Sequence, residues 1–216
     1  MGIYYFFSDF DSKKGFSKEV ALNLKKDLIK SENITFIASD PDGYGSTDKY
    51  SGIYIKWFSY IDINFKKVNI IDNRMTKTEM QQCLKNTDVI FIMGGKTRNE
   101  YNFIKNNKLD DIIKKSRSCI IGISAGAINM AENSLSSEDY GIYENITYKG
   151  IGLADISVEP HFDIKKINPA NKKIMEISQH QKIYAMCDNS AIISRDSEKY
   201  FYGEIYLIYK NEIVKI

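Results

Sequence analysis

The pentapeptide Gly122-Ile123-Ser124-Ala125-Gly126 has G-x-S-x-G spacing and directly follows the apolar run Cys119-Ile120-Ile121. In such a nucleophile elbow the serine sits on a sharp strand-to-helix turn. Residues two positions away on each side must lack bulk if strand and helix are to approach closely. Small residues continue at Ala125 and Ala127, as a helix start pressed against a sheet requires. The N-terminus of that helix offers backbone N–H groups, that of Ala125 among them, to a developing oxyanion. The plain structural alternative is a Gly/Ala-rich turn carrying an incidental serine.

A serine hydroxyl becomes a useful nucleophile when a base removes its proton, and histidine is the usual base. The chain holds two, His161 and His180. His180 ends the polar stretch Ser178-Gln179-His180-Gln181, where a solvated or helix-capping histidine is the default. His161 lies in Val158-Glu159-Pro160-His161-Phe162-Asp163, where Pro160 stiffens the approach and Phe162 can anchor the loop. Loops at strand ends are where catalytic groups concentrate, so His161 is the expected base. A third, buried carboxylate should orient the imidazole. Asp188 follows the strand Ile183–Met186, and Asp139 lies in the polar segment between serine and histidine. Asp163 is adjacent to His161 in sequence, but adjacency does not supply the side-chain geometry. Strand-end position favours Asp188, and Asp139 stays as the alternative acid.

A second glycine turn, Met93-Gly94-Gly95-Lys96-Thr97, follows the apolar run Val89–Met93. Its G-K-T ending is that of a phosphate-binding P-loop, but Ile90 stands where that pattern needs its first glycine, which argues against nucleotide binding. The N–H groups of Gly94 and Gly95 could instead complete an oxyanion hole with that of Ala125. Lys96, Thr97 and Arg98 would then border the substrate cleft.

These residues need strand ends to hold them, and the chain supplies a series. Ile3–Ser8 reads as a strand, and Ser17 caps a helix carrying Val20, Leu22, Leu24 and Leu28. Further strands are expected at Ile34–Ala38, Val68–Ile71, Val89–Met93 and Cys119–Ile123. Between them come an aromatic-rich helix ending near Ile61 and one opened by the capping box Thr76-Lys77-Thr78-Glu79. Strand–helix alternation predicts an α/β fold of three layers, a mostly parallel sheet with helices on both faces. The last quarter differs: Ile183–Met186, Ala191–Ser194, Tyr200–Gly203, Ile205–Tyr209 and Ile213–Ile216 read as antiparallel hairpins added to one edge of the sheet. Residues 1–216 show no linker and no internal repeat, so one domain is expected.

Composition narrows the remaining classes. Thirty basic and 28 acidic side chains leave a net charge of +2 without a dense basic block, which argues against nucleic acid as a partner. No apolar run approaches the roughly 20 residues needed to span a bilayer, so no membrane partner is expected. The N-terminus reads as a core strand rather than a signal peptide, and Cys83, Cys119 and Cys187 form neither a disulfide framework nor a zinc pattern. A cytoplasmic setting follows, with no metal and no cofactor. The C-terminal strands leave open pairing into a homodimer.

Gly-Ile-Ser-Ala-Gly-Ala at 122–127, Gly94-Gly95-x-Thr97 before it and Pro160-His161-Phe162 after it resemble peptidase family S51, and the resemblance spans nearly the whole chain. That family includes aspartyl dipeptidase (peptidase E) and cyanophycinase, on a class I glutamine-amidotransferase-like fold. The resemblance implies a serine peptidase of short peptides, with Ser124 as nucleophile, His161 as base, and Asp188 or Asp139 as acid. It also implies an oxyanion hole near Gly95 and Ala125. The chain departs from the family pattern at Lys96, where asparagine is usual. Preference for an N-terminal aspartate would call for a cationic or amide-rich pocket, which Lys96 and Arg98 could form. Two other readings are a non-catalytic binding module on the same fold and a serine amidase or esterase with a non-peptide substrate.

Overall fold

The computed structural model describes residues 2–166, 169–196 and 198–216. The chain begins with β1 (Ile3–Phe7), α1 (Lys18–Asp27), β2 (Asn33–Ile37), α2 (Tyr44–Ser59), β3 (Lys67–Ile71) and α3 (Lys77–Lys85). It continues with β4 (Val89–Ile92), α4 (Thr97–Asn106), α5 (Asp110–Lys115), β5 (Cys119–Ile123) and α6 (Ala125–Met130). Then come β6 (Asn133–Leu135), a short 3-10 turn (Ser137–Asp139), β7 (Thr147–Lys149), β8 (Ser157–Glu159) and α7 (Pro169–Ile177). The last elements are β9 (Ile183–Met186), β10 (Ala191–Arg195), β11 (Glu198–Tyr202), β12 (Ile205–Tyr209) and β13 (Glu212–Lys215). The expected helix starts hold. Ser17 Oγ accepts from the Val20 N–H, and Thr76 and Glu79 form a reciprocal capping box.

The main sheet runs β11-β10-β1-β5-β4-β2-β3. Its five-strand core, β1 through β3, is parallel, and β10 and β11 extend the β1 side antiparallel. Side chains alternate between two apolar layers, as strand pleating demands. Tyr5, Phe7, Phe36, Phe91 and Ile121 pack on one face with Leu24, Tyr54 and Trp57 of α1 and α2. Phe6, Ile37, Ile90, Ile92 and Ile120 pack on the other with Leu84, Ile104, Ile113 and Ile128 of α3 to α6. Burial on both faces explains why these strands read as unbroken apolar runs.

The C-terminal hairpins do not all join one edge. Only β10 and β11 extend the main sheet; β9, β12 and β13 form a second sheet with β8, in the order β13-β12-β9-β8. The reason lies in β9, which is buried on both faces. Tyr184 and Met186 enter the apolar layer shared with α6, while Ile183 and Ala185 pack with Ile174 of α7. Within this sheet β8 and β9 run parallel, so their carboxyl ends lie side by side. Among the described residues no helix is long and apolar enough to cross a membrane.

Candidate active site

Ser124 stands between the end of β5 and the first residue of α6, with φ 51° and ψ −114°. A side chain in that conformation is strained by roughly 1–3 kcal/mol and persists only where its surroundings enforce it. Here the enforcement is close packing. A Cβ on Gly126 would lie 2.2 Å from the Ile92 carbonyl oxygen, and one on Gly122 would lie 2.7 Å from the Ala127 nitrogen. The Ser124 N–H is held by the Phe7 carbonyl at 2.9 Å. Both glycines of the elbow are therefore steric necessities.

His161 follows β8 and Asp188 follows β9, and the parallel pairing of those strands brings the two together. His161 Nε2 lies 2.9 Å from Ser124 Oγ, and His161 Nδ1 lies 2.8 Å from Asp188 Oδ1. His161 has φ 55°, a left-handed conformation in which histidine is enriched. The expected buried acid is instead open: the Asp188 side chain is 59% exposed and that of His161 is 42% exposed. Of the two histidines and three aspartates weighed in the sequence, these are the pair joined to Ser124.

Asp139 has a different partner. It accepts from Arg98 Nε at 2.6 Å, with both side chains largely buried, and the Arg98 guanidinium also covers the Tyr148 ring at 3.8 Å. Arg98 donates further to the Asn145 carbonyl at 2.8 Å. The pair thus pins the segment after β6 onto α4, which engages the cation expected to bind substrate. Lys96 is likewise engaged, with Nζ 2.7 Å from Asp40 Oδ2. Thr97 is buried where α4 meets α6, its carbonyl accepting from Asn129 Nδ2.

The glycine turn does lie against the elbow. A Cβ on Gly94 would come within 3.2 Å of Ser124 Cβ, and Gly95 has φ 141°, which favours glycine. Ser39 Oγ donates to the Gly94 carbonyl at 2.6 Å and so holds the turn. Ala125 is the first residue of α6, and the first N–H groups of a helix lack partners within it.

Three residues escaped the sequence reading. Ser8, fully buried at the end of β1, accepts from the His161 N–H at 2.8 Å. Its hydroxyl lies 3.1 Å from the Met186 carbonyl and 3.4 Å from Asp188 Oδ1. One hydroxyl from the main sheet thereby ties together both strand ends of the second. Its only signal was a serine closing the first apolar run. Glu138 and Glu159 line a cavity of about 200 Å³ together with Ser124 and His161. Burial pushes the Glu138 carboxyl up and raises that of Glu159 to about 7. The signal for Glu159 was a carboxylate set between Val158 and Pro160, just ahead of the expected base. Close by, burial also raises the Asp9 carboxyl, against the opposing pull of the Phe10 N–H and His161.

Comparison with known proteins fits this geometry. The model of peptidase family S51 matches residues 8–201. A crystal structure of a peptidase from an acI-B1 Actinobacterium superposes with a TM-score of 0.74 at 12% identity, covering 100% of this chain and 94% of that one. A 1.5 Å crystal structure of a candidate peptidase E from Listeria monocytogenes EGD-e gives a TM-score of 0.68 at 20% identity, covering 94% and 98%. At these identities the two likenesses establish the fold. No curated protein matches the chain at a significant level.

Proposed function

Because the chain belongs to peptidase family S51, we propose that it is a serine peptidase that cleaves short peptides through an acyl-enzyme on Ser124. His161 takes the Ser124 proton as Oγ attacks the scissile carbonyl, then gives it to the departing amine. Asp188, on the far side of the ring, holds the Nδ1–H tautomer and steadies the imidazolium. The N–H groups of Ala125 and of the Gly94–Gly95 turn receive the oxyanion. Water, activated by the same histidine, releases the acyl product.

The observation that carries this reading is the continuous row Ser124–His161–Asp188, at 2.9 and 2.8 Å, built on a strained elbow. Strain of that kind is maintained where function uses it. The small cavity beside Ser124 suits one residue of a short substrate better than a folded protein. The test compares wild type with Ser124→Ala for labelling by a fluorophosphonate and for turnover of a dipeptide panel. Labelling and turnover are expected only in the wild type; equal behaviour of both proteins would sink the assignment.

A further inference from the structure

The cavity beside Ser124 carries an unspent carboxylate. Glu159 is 7% exposed; the Ser137 hydroxyl donates to its Oε1, and Oε2 has no partner among the described residues. A buried acceptor left without a donor is costly, and Glu159 is among the residues that line the cavity, so a small turn of its carboxyl would meet an incoming donor. Glu138 lines the same space from an exposed position. Among the described residues, the one cationic side chain in the wall, Lys166, is mostly in solvent and lies 3.3 Å from Asp163. Lys96 and Arg98, which would have welcomed an acidic substrate, are occupied by Asp40 and Asp139.

We propose that Glu159, seconded by Glu138, selects substrates by receiving a protonated amine on the residue whose carbonyl is attacked. That amine is either its free α-ammonium or a lysine-type side chain. The proposal rests on the serine-peptidase reading and gives its site a substrate class. An aspartate side chain would instead meet the carboxyls of Glu159 and Glu138, so the preference runs opposite to the one that resemblance to aspartyl dipeptidases implies. Burial disfavours the charge on Glu159 and raises its carboxyl to about 7. An arriving ammonium supplies both countercharge and N–H donors, and the carboxyl releases its proton to solvent.

Binding to Ser124→Ala, measured calorimetrically at about pH 8, tests the proposal apart from catalysis. The probes are Lys-Leu, N-acetyl-Lys-Leu, Ala-Leu, N-acetyl-Ala-Leu and Asp-Leu. Lys-Leu is expected to bind more tightly than Asp-Leu, and adding Glu159→Gln should weaken the cationic probes by about 10- to 100-fold. N-acetyl-Ala-Leu should be unaffected. Loss confined to probes with a free N-terminus identifies the α-ammonium; loss that persists for N-acetyl-Lys-Leu identifies the side chain. Glu138→Gln, at a less buried position, should weaken the same probes to a smaller degree and serves if Glu159→Gln melts early. Asp-Leu binding at least as tightly as Lys-Leu overturns the proposal. So do the absence of Lys-Leu binding and indifference of the cationic probes to both substitutions. Fluorophosphonate labelling of the wild type is scored separately. Its failure alongside Glu159-dependent cation binding would refute the hydrolase reading and leave the pocket standing.

Discussion

Replacing Ser124 with glycine should make the protein more stable than replacing it with alanine, although both changes remove the same hydroxyl. Both lose the contact to His161, so the difference between them isolates the backbone. At φ 51° and ψ −114° a side chain costs roughly 1–3 kcal/mol, whereas glycine enters the region freely. Against this, the glycine chain has more freedom to lose on folding, roughly 0.5–1 kcal/mol relative to alanine. The balance favours glycine by about 1–2 kcal/mol. In a chain of this length each kcal/mol moves Tm by about 2–4 °C, so Ser124→Gly should melt about 2–8 °C above Ser124→Ala. Thermal melts followed by circular dichroism, with urea midpoints at unchanged slope, measure the difference. If alanine proves as stable as glycine, the elbow is not strained and the argument from enforced geometry fails.

Gly126→Ala drives a Cβ to 2.2 Å from a backbone carbonyl that cannot swing away, so its urea midpoint should fall by at least the roughly 1–3 kcal/mol of an overpacked core. Ser8→Ala removes the tie between His161 and the β9 end; kcat should drop about 10- to 100-fold with KM little changed, in steady-state assays. Asp188→Asn and Asp139→Asn should separate cleanly. The first should lower kcat by up to about 10⁴-fold without loss of stability, and the second should destabilise by about 3 kcal/mol by stranding the largely buried Arg98. Finally, the native state keeps a proton on Glu159 up to about 7, whereas an ordinary glutamate releases it near 4.5. The folded chain therefore binds more protons in that window, and stability should decline as pH rises through it, then level off. The decline attributable to Glu159 is at most about 3 kcal/mol; Glu100, buried and raised in the same direction, adds to it. Urea unfolding from about pH 4.5 to about pH 8 should show a flatter profile in Glu159→Gln.

The elbow was legible because its constraint is local. An elbow needs glycines two residues to either side, and that spacing is visible without knowing any distant neighbour. His161 was legible for a poorer reason, the scarcity of histidines in the chain. The acid was legible only as a preference: strand-end position favoured Asp188 over Asp139, and the deciding fact is that β8 and β9 are parallel neighbours. That pairing joins segments separated by α7, and no local pattern encodes it. The same blindness placed all the C-terminal hairpins on one sheet. Periodicity also misled at Leu22, which is 61% exposed; the row that packs is Val20, Leu24 and Leu28, spaced four apart. Arg98 and Asp139 each looked available until the fold brought them to each other.

The row of hydrogen bonds crosses from one sheet to another, and this has a consequence during synthesis. A ribosome releases the elbow within the first 130 residues, but the third member of the row is residue 188. Until β9 is laid beside β8, Ser124 lacks the full row that the proposed mechanism uses. On the serine-peptidase proposal, reactivity is therefore gained only as folding is completed.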